Sequence, residues 1–148
     1  MTELTLYTST FIMTTPMKPV KYLVDKMITQ GLYILAGAPR VSKSWLALDL
    51  CLSVAKGERF LNRDTDSGYV MYLSLEDSLL RLQNRLYELT DEPSDNLSFA
   101  LTSDMLGEEL EKQIESCKQK NSNLKLIVID TLQKVRSSTD AKYGSDYK

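Results

Sequence analysis

The sequence predicts an α/β fold in three layers, a mainly parallel sheet with helices on both faces. Two observations lead there. Short apolar runs suited to buried strands alternate along the chain with helical segments, the pattern of βαβ units. The 148 residues are 43% apolar and 26% charged, the balance of a chain that folds around a single core. Wholly disordered, collagen-like and low-complexity chains are excluded by the same figures.

The elements follow in order. Residues 1–18 are rich in Thr and closed by Pro16 and Pro19, which predicts an N-terminal arm or linker ahead of a domain over 19–148. After Gly31, the run Leu32–Ala36 predicts a fully buried strand, and Gly37 to Ser42 a loop. Ser44 to Lys56 predicts a helix. Leu48, Leu52 and Ala55 share one stripe, Gly57 suits the cap, and Trp45, Leu46, Leu50 and Val54 fill other faces, so the helix lies against a sheet. Tyr69–Leu75 predicts a second buried strand, with Glu76 and Asp77 directly behind it. Leu79, Leu82, Leu86 and Leu89 define the next helix, with Arg81, Arg85 and Glu88 on its wet side. The turn at Asp91–Asn96 contains Pro93 and breaks the chain. Leu97–Leu101 predicts a third strand and Glu108–Lys120 a helix on Leu110, Ile114 and Cys117. Leu124–Ile129 predicts a fourth strand, ending at Asp130. No internal repeat is present. Ser137 to Lys148 is polar and carries no stop signal, which predicts a domain incomplete at its C-terminal end.

Composition narrows the chemistry. With no His, Ser-His-Asp triads, His-based acid/base catalysis and His metal sites are excluded. Any reaction must use carboxylates, Lys, hydroxyls and backbone amides. The two Cys, Cys51 and Cys117, form no C-x-x-C pair and fit a reducing compartment rather than a disulfide scaffold or a zinc site. The net charge of −2 offers no general grip on nucleic acid. Residues 1–15 carry no Lys or Arg, so a secretory signal is not written there. No apolar run approaches the ~20 residues a membrane span requires. Together these predict a cytoplasmic protein with no membrane partner.

Gly37, Ala38, Pro39, Arg40, Val41, Ser42, Lys43 and Ser44 match G-x-x-x-x-G-K-S/T at every position but one, Ser42 standing where the second Gly belongs. The setting is strand, loop, helix, the context that a phosphate loop requires. Such a loop turns successive amides toward an anion at the positive end of a helix. Lys43 would reach the β- and γ-phosphates and the Ser44 hydroxyl would ligate Mg²⁺. The nucleotide-binding candidates therefore run from Gly37 through Trp45. The plain alternative is a polar turn with a Ser cap. Ser42 is expected to weaken binding rather than abolish it, by crowding the phosphates or by straining a turn that wants φ > 0.

Two carboxylates stand at strand tips. Asp130 follows Leu126–Ile129 as a Walker B aspartate does, on the edge where open α/β sheets bind ligands, and there it would hold Mg²⁺. The alternative is an ordinary strand-ending Asp. Glu76 ends the second strand and faces the same crevice, where it can act as general base on water. From position alone a capping or solvated carboxylate is an equal reading. Asp77 is expected to cap the following helix.

With these residues in hand, the chain resembles the RepA-like branch of the RecA-fold P-loop ATPases, which includes replicative helicases of plasmids and mobile elements. The likeness covers about Lys18 to Lys148. It is carried by Tyr22-Leu23-Val24-Asp25, Gly31-Leu32-Tyr33-Ile34-Leu35-Ala36-Gly37, Lys43-Ser44-Trp45-Leu46-Ala47-Leu48, Tyr72-Leu73-Ser74-Leu75-Glu76-Asp77 and Val128-Ile129-Asp130-Thr131-Leu132-Gln133. The resemblance implies a RecA-like ATPase that uses ATP and Mg²⁺, with Glu76 activating water, Lys43 on the phosphates, and Ser44 and Asp130 on the metal. It also implies a homo-oligomer, a hexamer in this family. The family domain continues beyond Lys148. The strand between the phosphate-loop strand and the Walker B strand, the DNA-contacting residues and the arginine finger are expected there. Competing readings are a RecA-like recombination or repair ATPase, a non-hydrolysing nucleotide-binding interaction module, and a metabolic kinase, which would need an Arg-rich lid that the sequence lacks.

Overall fold

The computed structural model describes residues 4–136. Its elements are α1 (Ser9–Thr14), β1 (Tyr22–Val24), β2 (Ile28–Thr29), α2 (Lys43–Lys56), β3 (Tyr69–Ser74), α3 (Leu79–Leu89), β4 (Leu97–Ala100), α4 (Leu110–Lys120) and β5 (Leu124–Asp130). A 3₁₀ turn, Leu132–Lys134, follows.

The central sheet has the order β4-β3-β5 with both pairings parallel. Each connection crosses over through a helix, as parallel neighbours demand. Side chains alternate across the sheet, and that alternation builds the layers. Val70 and Tyr72 of β3, Leu97 and Phe99 of β4, and Leu126 and Val128 of β5 pack with Leu48, Cys51 and Leu52 of α2 and with Leu86 and Leu89 of α3. The opposite parity, Met71, Leu73, Ala100, Ile127 and Ile129, packs with Leu110 and Ile114 of α4 and with Val135. Helices therefore cover both faces, and the α/β class predicted from the sequence holds. Leu48 is 1% exposed, and burying a Leu of this kind contributes about 1.5–3 kcal/mol.

Helix α2 ends as its sequence requires. Gly57 takes φ 70° and donates its amide to Ser53 and Val54 carbonyls, the left-handed cap that glycine adopts without strain. Helix α3 begins on Ser78, whose hydroxyl accepts from the Arg81 amide.

Four expectations are corrected. Leu32–Ala36 is not a buried strand: Leu32 is 94% and Ile34 77% exposed, and the segment pairs with no strand among the described residues. Its apolar run reports a demand for burial, but a strand also needs a neighbour, and among the described residues β5 pairs with β3 alone. Leu79, expected in the packed stripe of α3, is 70% exposed; within α3 Leu82 is buried and Leu86 and Leu89 pack on the core. Asp77 does not cap α3; Ser78 does. Arg85 is not on the wet side; its guanidinium turns inward to Asp77.

Short elements were not foreseen. Thr8 caps α1 through its hydroxyl, which accepts from the Phe11 amide at 3.1 Å, and Tyr7 stacks on Phe11. β1 and β2 pair antiparallel, and buried Val24 bridges to Thr65. Ser137–Lys148 lies outside the described residues.

Candidate functional site

The loop between Gly37 and Lys43 is held by backbone geometry that its sequence only partly favours. Arg40 and Ser42 both adopt positive φ, 65° and 59°. Ser42 sits in the left-handed region at the cap of α2, and its hydroxyl makes no capping bond. Its carbonyl accepts the first helical bond, from the Leu46 amide at 3.1 Å. The expectation that this position wants φ > 0 is therefore met by a residue with a Cβ, and the turn is strained there. Gly37 leaves little room for a side chain: an added Cβ would lie 3.2 Å from Val41 Cγ2, so the Val41 side chain would have to shift. The Lys43 ammonium donates to the carbonyls of Gly37 at 2.9 Å and Ala38 at 2.6 Å, drawing the loop around its own charge. Ala38, Pro39, Arg40 and Val41 are exposed, and Lys43, Ser44 and Trp45 are half-buried.

Asp130 and Ser74 are partners in the β3–β5 register. Asp130 has the parity of Leu126 and Val128, so it stands on the face that α2 covers. Its Oδ2 accepts from the Tyr72 hydroxyl at 2.7 Å. Tyr72 is 1% exposed and packs against Phe99. Burial pushes the Tyr72 hydroxyl well above the usual phenol range, and the bond to Asp130 adds to that shift. The phenol therefore stays protonated and donates, and it fixes the carboxylate from one side.

Glu76 is exposed just past the tip of β3, and its Oε1 accepts from Thr131 Oγ1 at 3.3 Å. The two carboxylates named from the sequence thus stand on adjacent strand ends, tied through neighbouring residues. Asp77 is the buried member of this group, its side chain 8% exposed. It accepts from Ser74 at 3.2 Å and pairs with Arg85 and, at 3.7 Å, with Arg81. Arg85 also lies over the Trp45 indole, 5.7 Å from the ring centroid, within range of a cation–π contact. The first turn of α2 and the tip of β3 are joined through this one side chain.

Tyr72, Thr131 and Arg85 were not singled out from the sequence. Tyr72 could have been found from strand parity, once β3 and β5 are neighbours. Arg81 and Arg85 recur at helical spacing behind Asp77, a signal of two cations facing one acid. Thr131 carries no signal without the fold.

The donor set suits a magnesium nucleotide. The Ser44 hydroxyl and the Asp130 carboxylate are hard oxygen ligands, and Mg²⁺ takes one or two such ligands and completes its shell with phosphate and water. No cluster of three or more His, Cys, Asp or Glu among the described residues would hold a metal by itself. The loop, with a closely approached glycine, two positive-φ residues and a lysine at a helix start, is a phosphate cradle in form. Among the described residues no helix is long and apolar enough to cross a membrane.

A family model described as AAA domain matches residues 3–146. No curated protein and no solved structure matches the chain.

Proposed function

The chain belongs to the AAA domain family, whose members are ATPase-type nucleotide-binding domains, and on that premise we propose that it forms the Mg²⁺-ATP-binding and hydrolysing core of a RepA-like DNA helicase. The observation that carries the reading is the joining of the phosphate loop to both strand-tip carboxylates through Trp45, Arg85, Asp77 and Thr131. The backbone N–H groups of residues 37–44 other than Pro39, which has none, would donate to the phosphates. Lys43 exchanges the carbonyls of Gly37 and Ala38 for phosphate oxygens. Ser44 and Asp130 would hold Mg²⁺, which would supply positive charge against the phosphates. Glu76 would take the proton of a water whose oxygen attacks the γ-phosphorus, as the bond from that phosphorus to the bridging oxygen breaks and ADP leaves. The domain begins at residue 19, after an arm over 1–18, with 19–148 as its front half, and the working form is a hexamer in the cytoplasm that engages DNA; these finer points rest on the resemblance of its motifs.

A second reading, a nucleotide-binding module that does not hydrolyse, is favoured by one observation, the strained Ser42 at the phosphate-facing turn. Calorimetric titration with Mg²⁺-ATP tests the common ground. The wild-type chain should bind, and Lys43→Ala should weaken binding more than tenfold, beyond about 1.4 kcal/mol. Equal affinity in both proteins would remove the loop from the site. Hydrolysis in the wild type then separates the two readings.

A further inference from the structure

The Trp45–Arg85–Asp77 bridge is more than an ion pair of the surface. Surface pairs contribute little, but Asp77 is 8% and Arg85 24% exposed. Asp77 gathers three partners, Ser74, Arg81 and Arg85. A buried carboxylate so saturated is held in one place. It is the residue next to Glu76, so the backbone that carries Glu76 is held with it. At its other end Arg85 lies on the indole of Trp45, the residue after Ser44, in the first turn of the helix whose N-terminus faces the loop. A guanidinium can stack on a ring with its plane and pair with a carboxylate through its edge at once, which an ammonium cannot do.

We propose that Arg85 is a positioning residue that ties the phosphate loop to the Glu76 segment, so that nucleotide seated on residues 37–44 also orders residues 74–78. The inference rests on the proposed nucleotide site and adds a coupling to it. Arg85 acts through Trp45 on one side and Asp77 on the other.

The test is amide hydrogen exchange of the full chain with and without Mg²⁺ and a non-hydrolysable ATP analogue. Calorimetry of the same samples supplies the affinity. The variant is the double substitution Asp77→Asn with Arg85→Gln, which removes both charges together and leaves no buried carboxylate unpaired. In the wild type, nucleotide should slow exchange over residues 37–46 and over residues 74–81, on the order of tenfold at saturation. In the double variant, slowing should persist over 37–46 and vanish over 74–81, with affinity within about threefold of wild type. Arg85→Lys should lie between the two. A merely structural bridge would speed exchange without nucleotide and leave the nucleotide-dependent slowing intact. Trp45, the single tryptophan, gives a second signature. Its emission in the absence of nucleotide should shift in the double variant, because the stacked cation is gone. If nucleotide slows 74–81 equally in wild type and double variant, or leaves 74–81 untouched in a wild type that binds, the positioning role is overturned while the site stands. A wild type that binds no nucleotide overturns the site, and this inference with it.

Discussion

Ser42→Gly isolates the strain in the phosphate loop. Ser42 sits at φ 59° and ψ 26° with no bond from its hydroxyl. An L-residue in that region bears about 1–2 kcal/mol that glycine does not. Glycine in turn has more freedom to lose from the unfolded chain, about 0.4–1 kcal/mol. The difference leaves a net stabilisation of about 0.5–1 kcal/mol, a rise in Tm of roughly 1–4 °C for a domain of this size. No capping bond is lost, because none is made. Thermal unfolding followed by circular dichroism reads the effect, with Ser42→Ala as the control that removes the hydroxyl and keeps the Cβ. Ser42→Ala should sit within about 0.5 kcal/mol of wild type, as an exposed substitution without a partner does. Mg²⁺-ATP titration of the same proteins should give tighter binding for Ser42→Gly by a few fold, since the side chain no longer crowds the phosphates. An unchanged or lower Tm in Ser42→Gly, or an equal rise in Ser42→Ala, would refute the strain argument. Weaker nucleotide binding would refute the loop geometry itself.

Three further outcomes are expected. Glu76→Gln keeps shape and hydrogen bonding and removes the base, so ATP should bind within a few fold while single-turnover hydrolysis falls about 10² or more; unchanged turnover would reassign Glu76 to holding Thr131. Tyr72→Phe removes the hydroxyl that donates to Asp130 Oδ2, a bond to a charged group worth about 1.5–3 kcal/mol, so the denaturant midpoint should fall. The Mg²⁺ concentration needed for nucleotide binding should rise about tenfold in the same variant, as loss of an outer-shell partner does; an unchanged Mg²⁺ titration would leave Tyr72 a core residue only. Burial pushes the Cys51 thiol far up, so above pH ~8.5 the unfolded chain releases a proton that the folded chain keeps. Stability should therefore be full below that pH and decline as pH rises, by up to about 1.4 kcal/mol per pH unit. Cys51→Ala should flatten denaturation midpoints measured between pH 8 and 10, and an unchanged slope would assign the loss to other groups.

What the sequence revealed was mostly what periodicity can carry. Strand parity along Tyr69–Ser74 and Leu124–Asp130, and the apolar surround of α2, give the layers without any knowledge of neighbours. The strand-tip carboxylates were likewise legible, because chain position alone puts them at strand ends; the loop motif was read from its residues and the helix behind it, while the strand expected before it is not formed among the described residues. Pairing was not legible. Leu32–Ala36 has the composition of a buried strand and lies exposed, since composition cannot say which edge will receive it. Asp77 and Arg85 were misread for a related reason. A charge next to a helix start scores as a cap or a solvated group until the opposing indole and hydroxyl are in place. β1 and β2 are too short, at 3 and 2 residues, to leave a periodic signal.

The parallel order β4-β3-β5 also dictates when the carboxylates meet. Helix α2 and its loop are local and can form within one stretch of chain. Glu76 and Thr131 are 55 residues apart in sequence, and the Tyr72–Asp130 bond spans 58. Closing such distances loses chain entropy before the contacts repay it, so parallel pairing is the slow part of folding. The loop before α2 can thus be assembled in a partly folded chain in which Asp130, the carboxylate proposed to hold the metal, is not yet in place. On the ribosome, where segments emerge in order, α2 and β3 appear before β5, and the carboxylates come together only once β5 has docked beside β3. Productive nucleotide engagement is in this sense a late folding event, and Mg²⁺-ATP present during refolding should trap the final β3–β5 pairing rather than seed the chain's collapse.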